Sequence, residues 1–259
     1  KTTMQEASEL ISRLSESATL AMARISRELK AKGLDIISLS LGEPDFNTPD
    51  FIKEAAKKAI DDNYSHYPPV NGYVELREAI AMKFKRDNNL DYTADQIIVS
   101  TGAKQSLANS VLRLVNEGDE VLLPAPYWVS YSEMVKIANG IPVAVTTTIE
   151  DDFKLTAAQL EAAITSKTKL MIYSSPCNPS GSVYTREELE SLAVVLRKHP
   201  QVLVVSDEIY ELINFTGAHA SMGTLDGMYD RTITVNGVSK GFAMTGWRLG
   251  YLGAPLWIA

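Results

Sequence analysis

Cysteine is almost missing from this chain, since Cys177 is the single one among 259 residues. One thiol has no partner for an internal disulfide, which fits a reducing compartment and an expected cytoplasmic location. Long apolar runs are missing too: no stretch is long enough to span a bilayer, and no charged-then-apolar leader opens the sequence. Neither membrane insertion nor secretion is expected. Basic runs are absent, with 25 Lys and Arg against 32 Asp and Glu and a formal net charge of -7. Nucleic acid is therefore not an expected partner, because neutralising phosphates requires basic patches. Internal repeats and low-complexity linkers are lacking as well. What is present is 45% hydrophobic and 22% charged, ordinary for one large globular core or a core with a small lobe.

Helical and extended patterns alternate along the chain. Residues 17–32 place Leu20, Ile25 and Leu29 near a 3.6-residue period before Gly33, which predicts an amphipathic helix. Further helices are predicted over 49–62, 73–88, 103–116, 128–139, 156–164 behind a Thr N-cap, and 185–198 behind a capping signal. Apolar strands are predicted over 35–41, 96–100, 120–123, 141–147, 169–174, 202–206, 232–235 and 248–252. Continuous apolar strands between helices imply an α/β fold, a largely parallel sheet covered on both faces.

Chemistry concentrates in four clusters. Lys240 sits in Ser239-Lys240-Gly241-Phe242-Ala243-Met244-Thr245-Gly246-Trp247-Arg248, eight residues before Arg248. An amine and a guanidinium at that spacing suit an aldehyde cofactor that also carries a phosphate. A Lys-Gly pair alone is more commonly a solvated turn. Three other clusters each close an apolar strand: Ser206-Asp207-Glu208-Ile209-Tyr210, Ser175-Pro176-Cys177-Asn178-Pro179-Ser180-Gly181 and Ser100-Thr101-Gly102-Ala103-Lys104. Open α/β sheets bind their ligands at such strand ends. A strand-end Asp is also common as a turn or cap residue, and Asn-Pro and Ser-Gly both favour turns, so these segments alone leave structural explanations open.

Together with Leu41-Gly42-Glu43-Pro44-Asp45-Phe46 and Pro126-Tyr127-Trp128-Val129-Ser130-Tyr131, these motifs resemble the class I aminotransferases of the aspartate aminotransferase family, bacterial branch. The resemblance runs from about Ser17 to Ala259. It implies the fold type I architecture of pyridoxal-phosphate enzymes: a mostly parallel sheet of about seven strands with one antiparallel member. It also implies two domains, with residues 1–45 an N-terminal arm and part of a small domain, and residues 46–259 a cofactor-binding large domain. An intact member of the family continues past the equivalent of Ala259 and there supplies an arginine for the substrate α-carboxylate. A fragment of a longer enzyme, unable by itself to transaminate, is therefore expected.

The resemblance also assigns roles. Lys240 is the Schiff-base lysine and proton carrier, and Asp207 partners the pyridinium nitrogen. Tyr210 and Asn178 bond the cofactor's phenolic oxygen, while Trp128 stacks on its ring; a core tryptophan at a helix start is the plain alternative for Trp128. The phosphate meets Gly102, Ala103 and Lys104 at a helix start, together with Ser239 and Arg248. The partner subunit contributes the residue matching Tyr67, so a homodimer with shared sites is implied. Gly42 approaches substrate through its backbone, Lys104 reads a distal carboxylate, and Trp128 and Asn178 also contact substrate.

Cys177 and Ser180 stand where the common pattern has Asn and Thr. No histidine or base neighbours Cys177 in sequence, so a thiol nucleophile is not expected. Glu43 and Asp45 are expected to cap the helix that follows Pro49. The substrates implied are aspartate and 2-oxoglutarate, exchanged in a ping-pong cycle. Prephenate, aromatic amino acids or alanine come next, then carbon-sulfur lysis, then a non-catalytic regulatory module.

Overall fold

The structure is a computed structural model that describes residues 8–39 and 41–259. In chain order the elements are α1 (Glu9–Ser12), α2 (Ala18–Ala31), α3 (Asp50–Asp61), α4 (Val74–Asn88), β1 (Ile97–Ser100), α5 (Ala103–Leu114), β2 (Glu120–Ala125) and α6 (Ser130–Ile137). There follow β3 (Ile141–Thr146), α7 (Ala157–Ala163), β4 (Thr168–Ser174), α8 (Arg186–Lys198), β5 (Leu203–Asp207), β6 (Thr232–Gly237) and β7 (Gly250–Gly253). The seven strands lie in the order β1-β7-β6-β5-β4-β2-β3. All neighbours pair in parallel except β7, which runs against both β1 and β6. This is the α/β sheet with one antiparallel member that the resemblance implies.

Side-chain alternation along the central strands divides the interior into two layers. Leu170 and Ile172 of β4 and Val205 of β5 face Leu107 and Val111 of α5 and Tyr131 and Val135 of α6. Met171 and Tyr173 of β4 and Val204 of β5 face the other way, onto Leu160 of α7 and Leu189, Leu192 and Leu196 of α8. Because helices cover both faces, β4, β5 and β6 are buried almost throughout; β4 and β5 read as largely apolar runs, while β6 buries Thr232, Thr234 and Asn236 on one face and Ile233 and Val235 on the other. Each buried Leu, Ile or Val contributes about 1.5–3 kcal/mol of transfer free energy. A third cluster closes the β1 end of the sheet: Phe84 of α4 meets Tyr92 and Tyr251 edge-on at 5.3 and 5.6 Å.

Local chemistry sets the helix starts. Thr185 Oγ1 accepts from the Glu188 amide at 3.2 Å while Glu188 Oε2 accepts from the Thr185 amide at 2.8 Å, a reciprocal box. Thr156 and Gln159 form the same pair ahead of α7.

Several expectations need correction. The segment 35–41 is not a strand at its described residues; Ile37 and Leu39 are 85% and 92% exposed, and Ser40 lies outside the described residues. An apolar run becomes a strand only beside a ladder partner, and the seven-stranded sheet does not include it. Helix α6 starts at Ser130, two residues after Trp128, and its end is fixed by Asn139 in the left-handed region (φ 58). Strand β2 runs on through Pro124 to Ala125 because its pairing with β3 continues there. Glu43 and Asp45 do not cap α3: Pro49 holds the cap position with no side-chain bond, and the Glu43 carboxylate instead accepts from the Thr245 hydroxyl.

Candidate active site

The parallel strands β4, β5 and β6 end at one edge of the sheet, and the antiparallel β7 begins there. Lys240 lies on the loop that joins β6 to β7. Its amine donates to the Gly42 carbonyl at 2.9 Å and lies 5.8 Å from the Tyr210 ring centre. Burial pulls the Lys240 pKa down, with Glu43 opposing from a distance. An amine that sheds its proton more readily is a better nucleophile and base.

The same loop delivers Arg248, itself in the left-handed region with φ 56. Its guanidinium donates to the Thr245 carbonyl at 2.6 Å and to the Thr101 carbonyl at 3.4 Å. Arg248 lies directly across Gly102, where an added Cβ would fall 2.1 Å from Nη2. Gly102 also has φ +83, so glycine is required there twice over. Gly250, which the sequence analysis passed over, has a matching role, because a Cβ there would sit 2.1 Å from the Ala103 amide nitrogen. Two glycines thus let the start of α5, with Ala103 and Lys104, press against β7 and the arginine. The Lys104 pKa is lowered by partial burial and then by the charge of Arg248. Two cations converging on a helix N-terminus make an anion site. Ser239 is buried beside Lys240.

A third line of contacts starts from Lys104. Its ammonium lies 4.7 Å from the centre of the Trp128 ring. Trp128 meets Tyr131 edge-on at 5.6 Å, and the Tyr131 hydroxyl donates to Asp207 Oδ2 at 2.6 Å. Asp207 accepts one further bond, from the Ile209 amide at 3.3 Å. Burial raises its pKa to about 6; the Tyr131 and Ile209 donors oppose this, and the neighbouring charge of Glu208 adds to it. Two donors are few for a carboxylate 4% exposed, so the group suits a cationic partner. Tyr131 had no assigned role in the sequence, although Trp128-x-x-Tyr131 spacing was a usable signal.

Tyr210 follows on the turn after β5. Burial raises its pKa, the Asp207 charge adds to the rise, and the Asn178 side chain opposes it, which places Asn178 next to Tyr210. Asn178 itself is set between the cis bonds Ser175–Pro176 and Asn178–Pro179. Cys177 packs with its sulfur 3.7 Å from the Pro126 carbonyl.

The fold thus gathers Lys240, Asp207, Tyr210, Asn178, Trp128, Gly102, Ala103, Lys104, Ser239, Arg248 and Gly42 around one strand edge. Tyr67 is not among them: it stands fully exposed on the loop before α4.

The raised Asp207 pKa has a consequence for stability. Folded Asp207 holds its proton more tightly than an unfolded aspartate of pKa 3.8, so its contribution to folding falls as pH rises from 3.8 to about 6. Asp207→Asn should remove that component of the pH dependence from denaturant unfolding of the cofactor-free protein. An unchanged slope over that window would show that Asp207 is not the group responsible.

Comparisons with known proteins agree with this geometry. The profile of the family described as aminotransferase class I and II matches residues 34–259. A probable aspartate/prephenate aminotransferase of Rhizobium leguminosarum is 52% identical over 251 residues, covering 96% of this chain and 62% of that protein. An aspartate aminotransferase of Pinus pinaster is 50% identical over 247 residues, 95% of this chain and 50% of that protein. Among solved structures, the aspartate aminotransferase of Thermus thermophilus with maleate superposes with a TM-score of 0.94 at 43% identity, over 98% of this chain and 66% of that one. The chain therefore spans between half and two thirds of the length of these relatives. With the matching profile over most of its length and this strand-edge site, the chain belongs to the class I and II aminotransferases.

Proposed function

We propose that the protein carrying this chain transfers the amino group of aspartate to 2-oxoglutarate, with prephenate as a second acceptor. The observation that carries this reading is the half-buried Lys240 amine, set beside Tyr210 on the same loop that brings Arg248 to the Lys104 anion site. The family's cofactor is pyridoxal 5'-phosphate, and the residues present fit it. Gly102 leaves the room that Arg248 needs at the helix start, and Asp207 is a buried carboxylate suited to a cation. Ala103, Lys104, Ser239 and Arg248 would hold the phosphate, Asp207 the ring nitrogen, and Tyr210 and Asn178 the phenolic oxygen. Trp128 would lie against the ring.

When bound, the cofactor supplies an electron sink for the substrate's Cα. Asp207 would pair with the ring nitrogen and favour its protonated form. Lys240 would hold the cofactor's aldehyde and would serve as the base that moves a proton at the substrate Cα. Its lowered pKa favours the free base this needs. The Gly42 carbonyl, bonded to Lys240, fixes the lysine at the mouth of the site. Amino donor and oxo-acid acceptor use the same site in turn, a ping-pong cycle. The names of the relatives, aspartate and aspartate/prephenate aminotransferases, support the substrates. Both acceptors are dicarboxylates, which suits a cation at Lys104.

Residues 1–45 and 46–259 are, in this reading, part of a small domain and the cofactor-binding large domain. Helix α2 buries only Ala23 and leaves Leu20 and Met22 exposed, as a lobe does when its packing partner lies elsewhere. A homodimer is also inferred, because Tyr67 and Val70 are fully exposed on one loop and an apolar surface of that kind marks a contact. A cytoplasmic location rests on the lone cysteine. Among the described residues no helix is long and apolar enough to cross a membrane.

Three experiments test this function. Borohydride reduction of the cofactor-loaded protein followed by peptide mapping should place the pyridoxyl group on Lys240; a label on another lysine would refute the assignment. Lys104→Ala should lower kcat/KM for aspartate and glutamate at least about tenfold more than for alanine or phenylalanine. An equal loss for all four would assign Lys104 to the phosphate or to structure. Mixing Tyr67→Phe subunits with Lys240→Ala subunits should recover activity above either parent, since half of the sites in a mixed dimer carry neither change. No recovery despite confirmed subunit exchange would show that Tyr67 does not serve a neighbouring site.

A further inference from the structure

Glu208 is fully buried and faces away from the cofactor pocket. Alternation along β5 sends Asp207 to the α6 side of the sheet and Glu208 to the α8 side. There its Oε1 accepts from Ser206 Oγ at 2.9 Å. Its Oε2 is bonded by Ser221 Oγ at 2.7 Å, His219 Nε2 at 2.7 Å and Asn88 Nδ2 at 3.2 Å. Asn88 Nδ2 also donates to Glu211 Oε2 at 2.7 Å, and Lys83 bonds both Glu211 and the Asn88 carbonyl oxygen. Ser206 Oγ reaches further, to the Tyr173 hydroxyl at 2.9 Å. The Glu208, Glu211 and His219 ligand atoms lie close enough together to suggest a metal site, but Lys83 and Asn88 already occupy the carboxylates.

Two buried carboxylates, Glu208 and Glu211, face the Lys83 amine and the His219 ring. Burial lowers the His219 pKa, but the hydrogen bond and the charge of Glu208 outweigh it, so the net shift is upward. Such a cluster is a poor source of raw stability, since apolar residues of equal volume serve as well; what it does fix is geometry. The geometry it fixes is specific. Glu208 and Glu211 bracket Tyr210, and Asp207 immediately precedes Glu208. The turn is tied again by the Glu208 amide on the Val235 carbonyl at 2.8 Å and the Glu211 amide on the Glu208 carbonyl at 2.9 Å.

We propose that Glu208 is a positioning residue: anchored on the far face of the sheet by Ser206, Ser221, His219 and Asn88, it holds the turn that presents Asp207 and Tyr210 to the cofactor. It ties α4, β4 and the 219–221 segment to one strand end, so cofactor binding depends on this polar anchor beneath the sheet rather than on the apolar packing around it. This rests on the reading that the pocket holds pyridoxal phosphate.

The test uses Glu208→Ala, the conservative Glu208→Gln and, as a stability control, the core variant Leu160→Ala in α7. Two quantities are read: hydrogen exchange of residues 203–213 in the cofactor-free protein, and the Kd for pyridoxal phosphate. Glu208→Ala should speed exchange in that segment and weaken cofactor binding at least about tenfold, as loss of a supporting group around a bound ligand does. Glu208→Gln, which still accepts at one oxygen, should recover most of both. Leu160→Ala should lower Tm while leaving both quantities unchanged. Unaltered cofactor affinity in Glu208→Ala, or an equal loss in Leu160→Ala, would overturn the proposal. Should Glu208→Ala fail to fold, Ser221→Ala removes one donor and is held to the same two outcomes. Absence of binding by the unaltered protein would overturn the cofactor reading alone, since exchange in 203–213 still decides whether Glu208 holds the turn.

Discussion

A buried carboxylate with too few partners organises this molecule. Asp207 ends the central strand β5 almost wholly out of water, with one hydroxyl and one amide to satisfy it. Burial of that kind is tolerated only where the surroundings are held rigidly and a cation completes the site. The rigid surroundings are visible on both faces of the sheet. Tyr131 is fixed between Trp128 and the α5–α6 layer, and beneath it the Glu208 network clamps the next residue of the chain.

The other end of the site is built by removing atoms. An anion site needs two cations and a helix start close together, and mutual repulsion between Arg248 and Lys104 works against that arrangement. Gly102 and Gly250 make the approach sterically feasible, one under the guanidinium and one under the Ala103 amide. The loop from β6 then spans from carboxylate end to anion end, and it carries both Lys240 and Arg248. A single loop so placed sets the distance between the Lys240 amine and the Arg248 guanidinium. The strand edge supplies the rest, because β4 and β5 end there with Ser174 paired to Asp207, and Asn178 follows on the loop after β4.

Much of this was legible in the chain. Strands β4 and β5 are apolar on both faces over most of their length, so their runs stood out, and the Thr185 and Thr156 boxes marked two helix starts by local bonding alone. The candidate site segments were legible as motifs, most of them at strand ends and turns, and the resemblance rather than local chemistry supplied their roles. Illegible were the features that depend on distant partners. The run 35–41 has strand composition, yet strand formation depends on a second chain segment to pair with. Glu43 looks like a cap from its position but finds Thr245 instead, a residue far along the sequence. Tyr131 had no role assigned from the sequence, because its hydroxyl bond to Asp207 joins residues far apart in the chain.

By itself the sequence determined the alternation of elements and the parallel core strands, since these follow from side-chain period and capping chemistry, and its motifs carried the resemblance to the aminotransferases. Only the tertiary structure decided which carboxylate is starved of donors, which glycines are obligatory and which polar groups sit beneath the site. Those properties are set by the distance between residues far apart in the chain, and local pattern carries no record of that distance.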